Sequence, residues 1–286
     1  MAISVPSMTI VAVFISLTVI TIIGKTSRRF SLPSYLSYTW LFFLSFTLAD
    51  NVSFPVGLWL LAVLSFIALR EYFSLVNIRL QDRIGILAAY LSIPFMTYFI
   101  HTGWYGMFII SIPVYAFLAI PLCVSLGGKE TEGTVFSVGA IDFGLFLFVY
   151  CLGHIGYLLF FSTWMAGMLI LTITLCDAVG GFVYSRLKSR LVSRLVHFAA
   201  CLPLTVPLTV VLSPWTGIPG IHSVVLGLII PLLVVLGHHT IGYMEKDLGI
   251  VDEKLLPGRG LVLDSTKSIF YTAPVAFHYI RYFLGL

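Results

Sequence analysis

Charge is what this chain has least of. Only 10% of its 286 residues are Asp, Glu, Lys or Arg, against about 25% in an ordinary soluble domain. With 59% hydrophobic residues, that shortage excludes a soluble globular protein and leaves a polytopic membrane protein. At roughly 20 apolar residues for each crossing of about 30 Å of hydrocarbon, the length allows about ten crossings and no sizeable soluble domain. The apolar runs are continuous rather than alternating, which excludes a transmembrane barrel and selects helices. Cysteine is also sparse: Cys123, Cys151, Cys176 and Cys201 lie in or beside apolar runs with no CxxC spacing. A zinc site or disulfide framework is therefore excluded, and the four read as small buried hydrophobes. No basic stripe with interleaved aromatics is present, so no nucleic-acid partner is expected. No internal repeat or low-complexity linker stands out; the missing repeat removes one argument for a transporter. The first apolar run lacks a basic region ahead of it and exceeds a signal core of about 7 to 15 residues, so it is expected to stay as an anchor.

What is there, then, is a series of ten apolar stretches: 2–23, 36–49, 54–69, 84–100, 105–126, 135–161, 165–184, 195–212, 224–241 and 269–284. The second is short enough to be tilted or re-entrant, with Pro55 breaking the chain just after it, so eight to ten spans are expected. Positive charge follows the first span (Lys25, Arg28, Arg29), the third (Arg70, Arg79, Arg83) and the seventh (Arg186, Lys188, Arg190, Arg194). Even numbers of spans separate these loops, so one face, the cytoplasmic one, holds them all. The same parity places 245–267 there and both termini outside. The fold expected is all-α, a helix bundle with one polar loop before its last span. Residues 1–130 form N-terminal spans and 131–286 a region containing the loop at 237–267, all within one integral membrane unit. The net charge of +4 is mainly this topology signal.

The polar island Glu245 to Lys267 cannot be a spanning helix. Within it, Leu255 to Gly260 reads Leu-Leu-Pro-Gly-Arg-Gly. Gly258 and Gly260 accept positive φ and let successive amides converge on a phosphate, and Arg259 adds a fork of donors; a plain Pro-Gly surface turn is the simpler alternative. Asp264 follows the apolar Leu261 to Leu263, near the membrane boundary, as a carboxylate suited to magnesium. Asp252, upstream with Asp247 and Glu253, fits a solvated face as well. Asp177 lies inside an apolar span, where a carboxylate costs about 2.5 kcal/mol or more unless it faces a polar cavity. Gly180 and Gly181 follow it, then Arg186, Lys188 and Arg190, ready to meet an anionic group. A structural hydrogen bond to a neighbouring helix explains Asp177 equally. Asp142 and His197 are weaker candidates, and His238 and His239, adjacent on a helix, diverge by about 100° and do not chelate one metal together.

The stretch 237–267 resembles the signature region of the phosphatidate cytidylyltransferases, or CDP-diacylglycerol synthases. That family carries Gly-Asp ahead of Ser-x-apolar-Lys-Arg, then Lys-Asp-x-Gly, then apolar-Pro-Gly-His-Gly-Gly, then an apolar residue and Leu-Asp-Arg-x-Asp. The match runs without a gap through Gly237, Met244, Asp252, Leu256, Pro257, Gly258, Gly260, Val262, Leu263 and Asp264. Asp177 with its small residues and basic turn is similar to the family's upstream Asp-containing helix, and 273–279 to its closing helix. The differences are His238 for the Asp of Gly-Asp, Glu245 and Lys246 for Lys-Arg, Arg259 for His, and Ser265 and Lys267 for the Arg and second Asp of the last motif.

The resemblance implies transfer of CMP from CTP to an anionic lipid phosphate, phosphatidate or similar, with release of pyrophosphate, in phospholipid biosynthesis. It implies catalytic roles for Asp264, Arg259 and Lys246. Pro257, Gly258, Gly260, Asp252, Arg186 and Lys188 would hold the nucleotide phosphates. Magnesium would sit on Asp264 and Asp177, with room for a second monovalent or divalent cation. The expected partners are CTP, the lipid phosphate and the bilayer, with a homodimer compatible with the pattern. The expected location is a bacterial inner membrane. Two other classes are weighed against this enzyme: a non-catalytic relative serving as a lipid-binding scaffold, and a transporter of anionic lipid using Asp142, Asp177 and His197 as its path.

Overall fold

The computed structural model describes residues 5–26, 34–127, 130–187, 189–247 and 261–286. Within them the backbone satisfies itself through helices, as a chain in hydrocarbon must. In chain order they are α1 (Val5–Thr26), α2 (Ser34–Asn51), α3 (Phe54–Leu75), α4 (Arg83–His101), α5 (Tyr105–Gly127), α6 (Thr134–Phe161), α7 (Thr163–Arg186), α8 (Arg190–Thr216), α9 (Gly220–Asp247) and α10 (Leu261–Leu284). Each apolar stretch read from the sequence has its helix. Eight helices among the described residues are long and apolar enough to cross a membrane; α2 and α10 fall outside that measure.

Local chemistry sets the breaks. Pro55 sits in the first turn of α3, where its missing N–H costs nothing. Ser162 separates α6 from α7 and caps the latter, its side chain accepting from the Trp164 amide. Pro113 lies within a π-helical segment of α5, Ser111–Ala116, where the missing donor shifts the hydrogen-bond ladder. A second π-helical segment, Phe146–Cys151, interrupts α6.

Helices α6 and α7 are the most buried of the eight candidate spans and α1 the least. Against them runs α10, which also touches α2, α3 and α9. Its inward side carries Leu263, Ser268, Thr272, Ala273, Ala276, Phe277 and Ile280, and the two alanines permit close approach. Phe277 packs among Phe108, Tyr157 and Phe161, which fixes α10 against α5 and α6.

The helix ends agree with the parity of the charge pattern. The Arg79 guanidinium, just before α4, holds Asp82 bidentately at 2.8 and 2.9 Å and reaches the Glu130 carbonyl ahead of α6 and the Thr134 hydroxyl at its first residue. One cleft is lined by Tyr72 and Val76 at the end of α3, Val135 at the start of α6, Met244 and Asp247 at the end of α9, and Leu263 at the start of α10. These ends therefore share one face of the bundle.

Candidate functional site

Two glycines bring the polar residues together. A Cβ on Gly237 would stand 2.5 Å from the backbone oxygen of Lys267, so α9 and α10 cross here only because the position is glycine. The crossing sets His238 beside Ser268, and Asp177 arrives from α7. Asp177 Oδ1 accepts from Ser268 Oγ at 2.5 Å and from His238 Nε2 at 2.8 Å. Two donors thus make the intramembrane carboxylate tolerable. Aspartate, histidine and serine meet without forming a nucleophile relay. One His238 nitrogen contacts both partners, and the Ser268 hydroxyl, 3.1 Å from it, gives its hydrogen to the carboxylate.

At the second glycine, Gly180, a Cβ would lie 2.8 Å from His197 Cε1. The imidazole of His197, wholly buried, fills that gap between α7 and α8. Its Nε2 is 2.8 Å from the Cys176 carbonyl oxygen and its Nδ1 is 2.9 Å from the Tyr184 hydroxyl.

A second charge centre lies toward the bundle face. Lys267 Nζ bonds Asp264 Oδ1 and stands 3.7 Å from Glu245 Oε2. Glu245 is buried, and its Oε1 has no partner among the described residues. Burial works against the Lys267 ammonium, but the carboxylates of Asp264 and Glu245 outweigh it and hold the lysine above its ordinary range. It is charged at neutral pH.

Above these pairs opens a polar cleft of about 270 Å³, near the lower end of ligand pockets. Tyr184 of α7, Arg190, Ser193 and Arg194 of α8, and His238, His239, Gly242, Tyr243, Glu245 and Lys246 of α9 line it. Three cations face one carboxylate there, so the cleft suits an anion. On the opposite side of the last turn of α9 lies the mainly apolar cleft of about 370 Å³ containing Tyr72, Val135, Phe143, Met244, Asp247 and Leu263.

Of the residues expected from sequence, Lys246 lines the polar cleft, and Asp177 and Asp264 both bond side chains on the first turns of α10. Arg186 stands apart from the cleft lining, its guanidinium 4.1 Å over the Phe182 ring. Lys188, Asp252, Pro257, Gly258, Arg259 and Gly260 lie outside the described residues. Asp142 occupies α6 with both carboxyl oxygens buried and no partner among the described residues, and Asp177 and His197 are engaged elsewhere, so these three do not form a shared polar path here. Sequence reasoning missed Tyr184, Tyr243 and Ser268. Arg190 and Arg194 carried a signal, because four-residue spacing puts them on one helix face.

A model of the cytidylyltransferase family matches residues 33–283. A protein of Escherichia coli K12 named uncharacterized protein YnbB is 25% identical over 77% of this chain and 78% of its own length. A phosphatidate cytidylyltransferase of Synechocystis sp. is 38% identical over 61 residues, 21% of each chain. No solved structure matches.

Proposed function

The chain belongs to the cytidylyltransferase family, and from that premise we propose that it transfers CMP from CTP to a lipid phosphate in a bacterial inner membrane, with the polar cleft on the cytoplasmic side. The observation that carries this reading is the pair of clefts flanking the last turn of α9. One is cationic and takes a water-soluble triphosphate; the other is apolar and takes lipid chains. Such an arrangement brings two unlike substrates to one helix end.

In the reaction, an oxygen of the lipid phosphate attacks the α-phosphorus of CTP. The bond from that phosphorus to the oxygen bridging to the β-phosphate breaks, and pyrophosphate leaves with its electron pair. The attacking oxygen is already anionic, so no strong base is required. Arg190, Arg194 and Lys246 neutralise the triphosphate and its developing charge. Arg259 and the amides around Gly258 and Gly260 are proposed to add donors from the loop. Phosphatidate is the proposed acceptor.

Protein-bound magnesium does not fit the described residues. No three His, Cys, Asp or Glu side chains among them gather into a metal site. Asp264 is taken by Lys267, and Asp177 by His238 and Ser268. We therefore treat magnesium as the counter-ion that CTP carries, and no step above depends on it.

The test is pyrophosphate release by purified protein with labelled CTP, magnesium and phosphatidate in mixed micelles. Lipid-dependent pyrophosphate with a CDP-lipid product, lost in the Arg190→Ala and Arg194→Ala variants, is expected. Absence of both product and CTP binding across several lipid phosphates would overturn the proposal and favour a lipid-binding or transport role.

A further inference from the structure

His197 and Tyr184 define a hydrogen-bond polarity that the polar cleft presents to whatever binds in it. The Cys176 carbonyl oxygen can only accept, so His197 Nε2, 2.8 Å away, carries a hydrogen. In the neutral ring Nδ1 is then bare and acts as an acceptor. The Tyr184 hydroxyl, 2.9 Å from Nδ1, must donate to it. With its hydrogen committed, Tyr184 Oη offers the cleft lone pairs only. The ring cannot slide away from this arrangement, because α7 closes on it at Gly180, where there is no room even for a Cβ.

We propose that Tyr184 is the base-selecting residue of the nucleotide site. Its hydroxyl accepts from the exocyclic amino group of cytosine and sets lone pair against lone pair when that group is the carbonyl of uracil. His197 is a positioning residue that fixes the direction of the hydroxyl. The neighbouring residues leave the division of labour clear: Arg190, Arg194 and Lys246 in the same cleft serve phosphates and carry no base preference. The inference rests on the nucleotidyl-transfer reading above.

The test is displacement of a fluorescent CTP analogue from the detergent-purified full chain by CTP, UTP and inorganic triphosphate. It is run at about pH 9, well above the ordinary histidine range, because a protonated His197 would turn the hydroxyl round. The wild type is expected to favour CTP over UTP by about tenfold, the worth of one well-made hydrogen bond. Tyr184→Phe should bring CTP and UTP close to parity while triphosphate binding stays unchanged. His197→Leu should do the same, and His197→Gln, whose amide can donate to Cys176 and accept from Tyr184, should restore the preference. Tight binding of CTP and UTP alike by the wild type, or a preference that survives Tyr184→Phe, overturns the role of Tyr184 and leaves nucleotidyl transfer standing. Displacement by neither nucleotide overturns both. Tyr184→Phe leaves the buried His197 Nδ1 without its donor, and the unchanged triphosphate binding is the control that this variant is folded.

Discussion

Replacing Lys267 with methionine isolates the electrostatics of the bundle face. The lysine serves two carboxylates of unequal burial: Glu245, whose side chain is 6% exposed, and Asp264, 46% exposed. Water can resolvate Asp264, so its loss of a partner counts for little. Glu245 cannot be rescued in that way, and its Oε1 already lacks a partner among the described residues. Breaking a buried pair from one side costs about 3–5 kcal/mol. Because Lys267 itself is 17% exposed, the lower end applies, about 3 kcal/mol. For a chain near this size each kcal/mol moves the midpoint by about 2–4 °C, so Lys267→Met should unfold about 6–12 °C below wild type. The assay is thermal unfolding in detergent followed by tryptophan fluorescence. Its control is the double variant with Glu245→Gln, which removes the stranded charge and should recover most of the loss. A double variant as unstable as the sum of the singles would refute the reasoning, because the loss would then not be electrostatic.

Three further outcomes follow from the same geometry. Gly237→Ala drives a Cβ toward the Lys267 carbonyl and should cost about 1–3 kcal/mol, whereas Gly139→Ala, inside α6 with nothing within 4 Å of its added carbon, should cost nothing and gain up to about 1 kcal/mol; thermal midpoints measured side by side check the contrast. Ser268→Ala takes one of two donors from the buried Asp177 and should lower stability by about 1.5–3 kcal/mol, read from the same unfolding curves. Chelating divalent ions from nucleotide-free protein should leave the midpoint where it was. A protein-bound ion at a hundredfold its Kd would contribute about 2.7 kcal/mol, so a clear fall would show one.

The scaffold was readable because its signals are local. Continuous apolar runs define helices with or without knowledge of their neighbours, and the basic clusters at Arg79 and Arg190 placed helix ends on a common face. The site was readable only where one residue contradicted its surroundings. Asp177 stands out as a carboxylate in an apolar span, but its partners come from 61 and 91 residues away, through helices whose crossing depends on Gly237. Nothing near Ser268 in the sequence distinguishes it from the serines that merely bond back to their own helix, as Ser92 does to Ala88. Arg186 illustrates the opposite error. It belongs to the same basic cluster as Arg190 and Arg194, but the chain leaves the helix between them, and rotation about that break separates a residue stacked on Phe182 from two that face the cleft.

The departures from the family pattern gain meaning once they are placed in space. His238 stands where the family carries an aspartate, and Lys267 where it carries another. Each replacement is a basic or hydrogen-bond-donating group, and each lies against an acidic one: His238 against Asp177, Lys267 against Asp264 and Glu245. Losing two carboxylates independently would leave the remaining acids unbalanced in a region of low dielectric, where an unpaired charge is costly. Here the same two positions that lose a negative charge provide the neighbours that neutralise or bond the acids left behind. The centre is thereby balanced by side chains rather than by an ion. The positive charge for the proposed triphosphate site is then that of the arginines of α8, which line the cleft one turn apart.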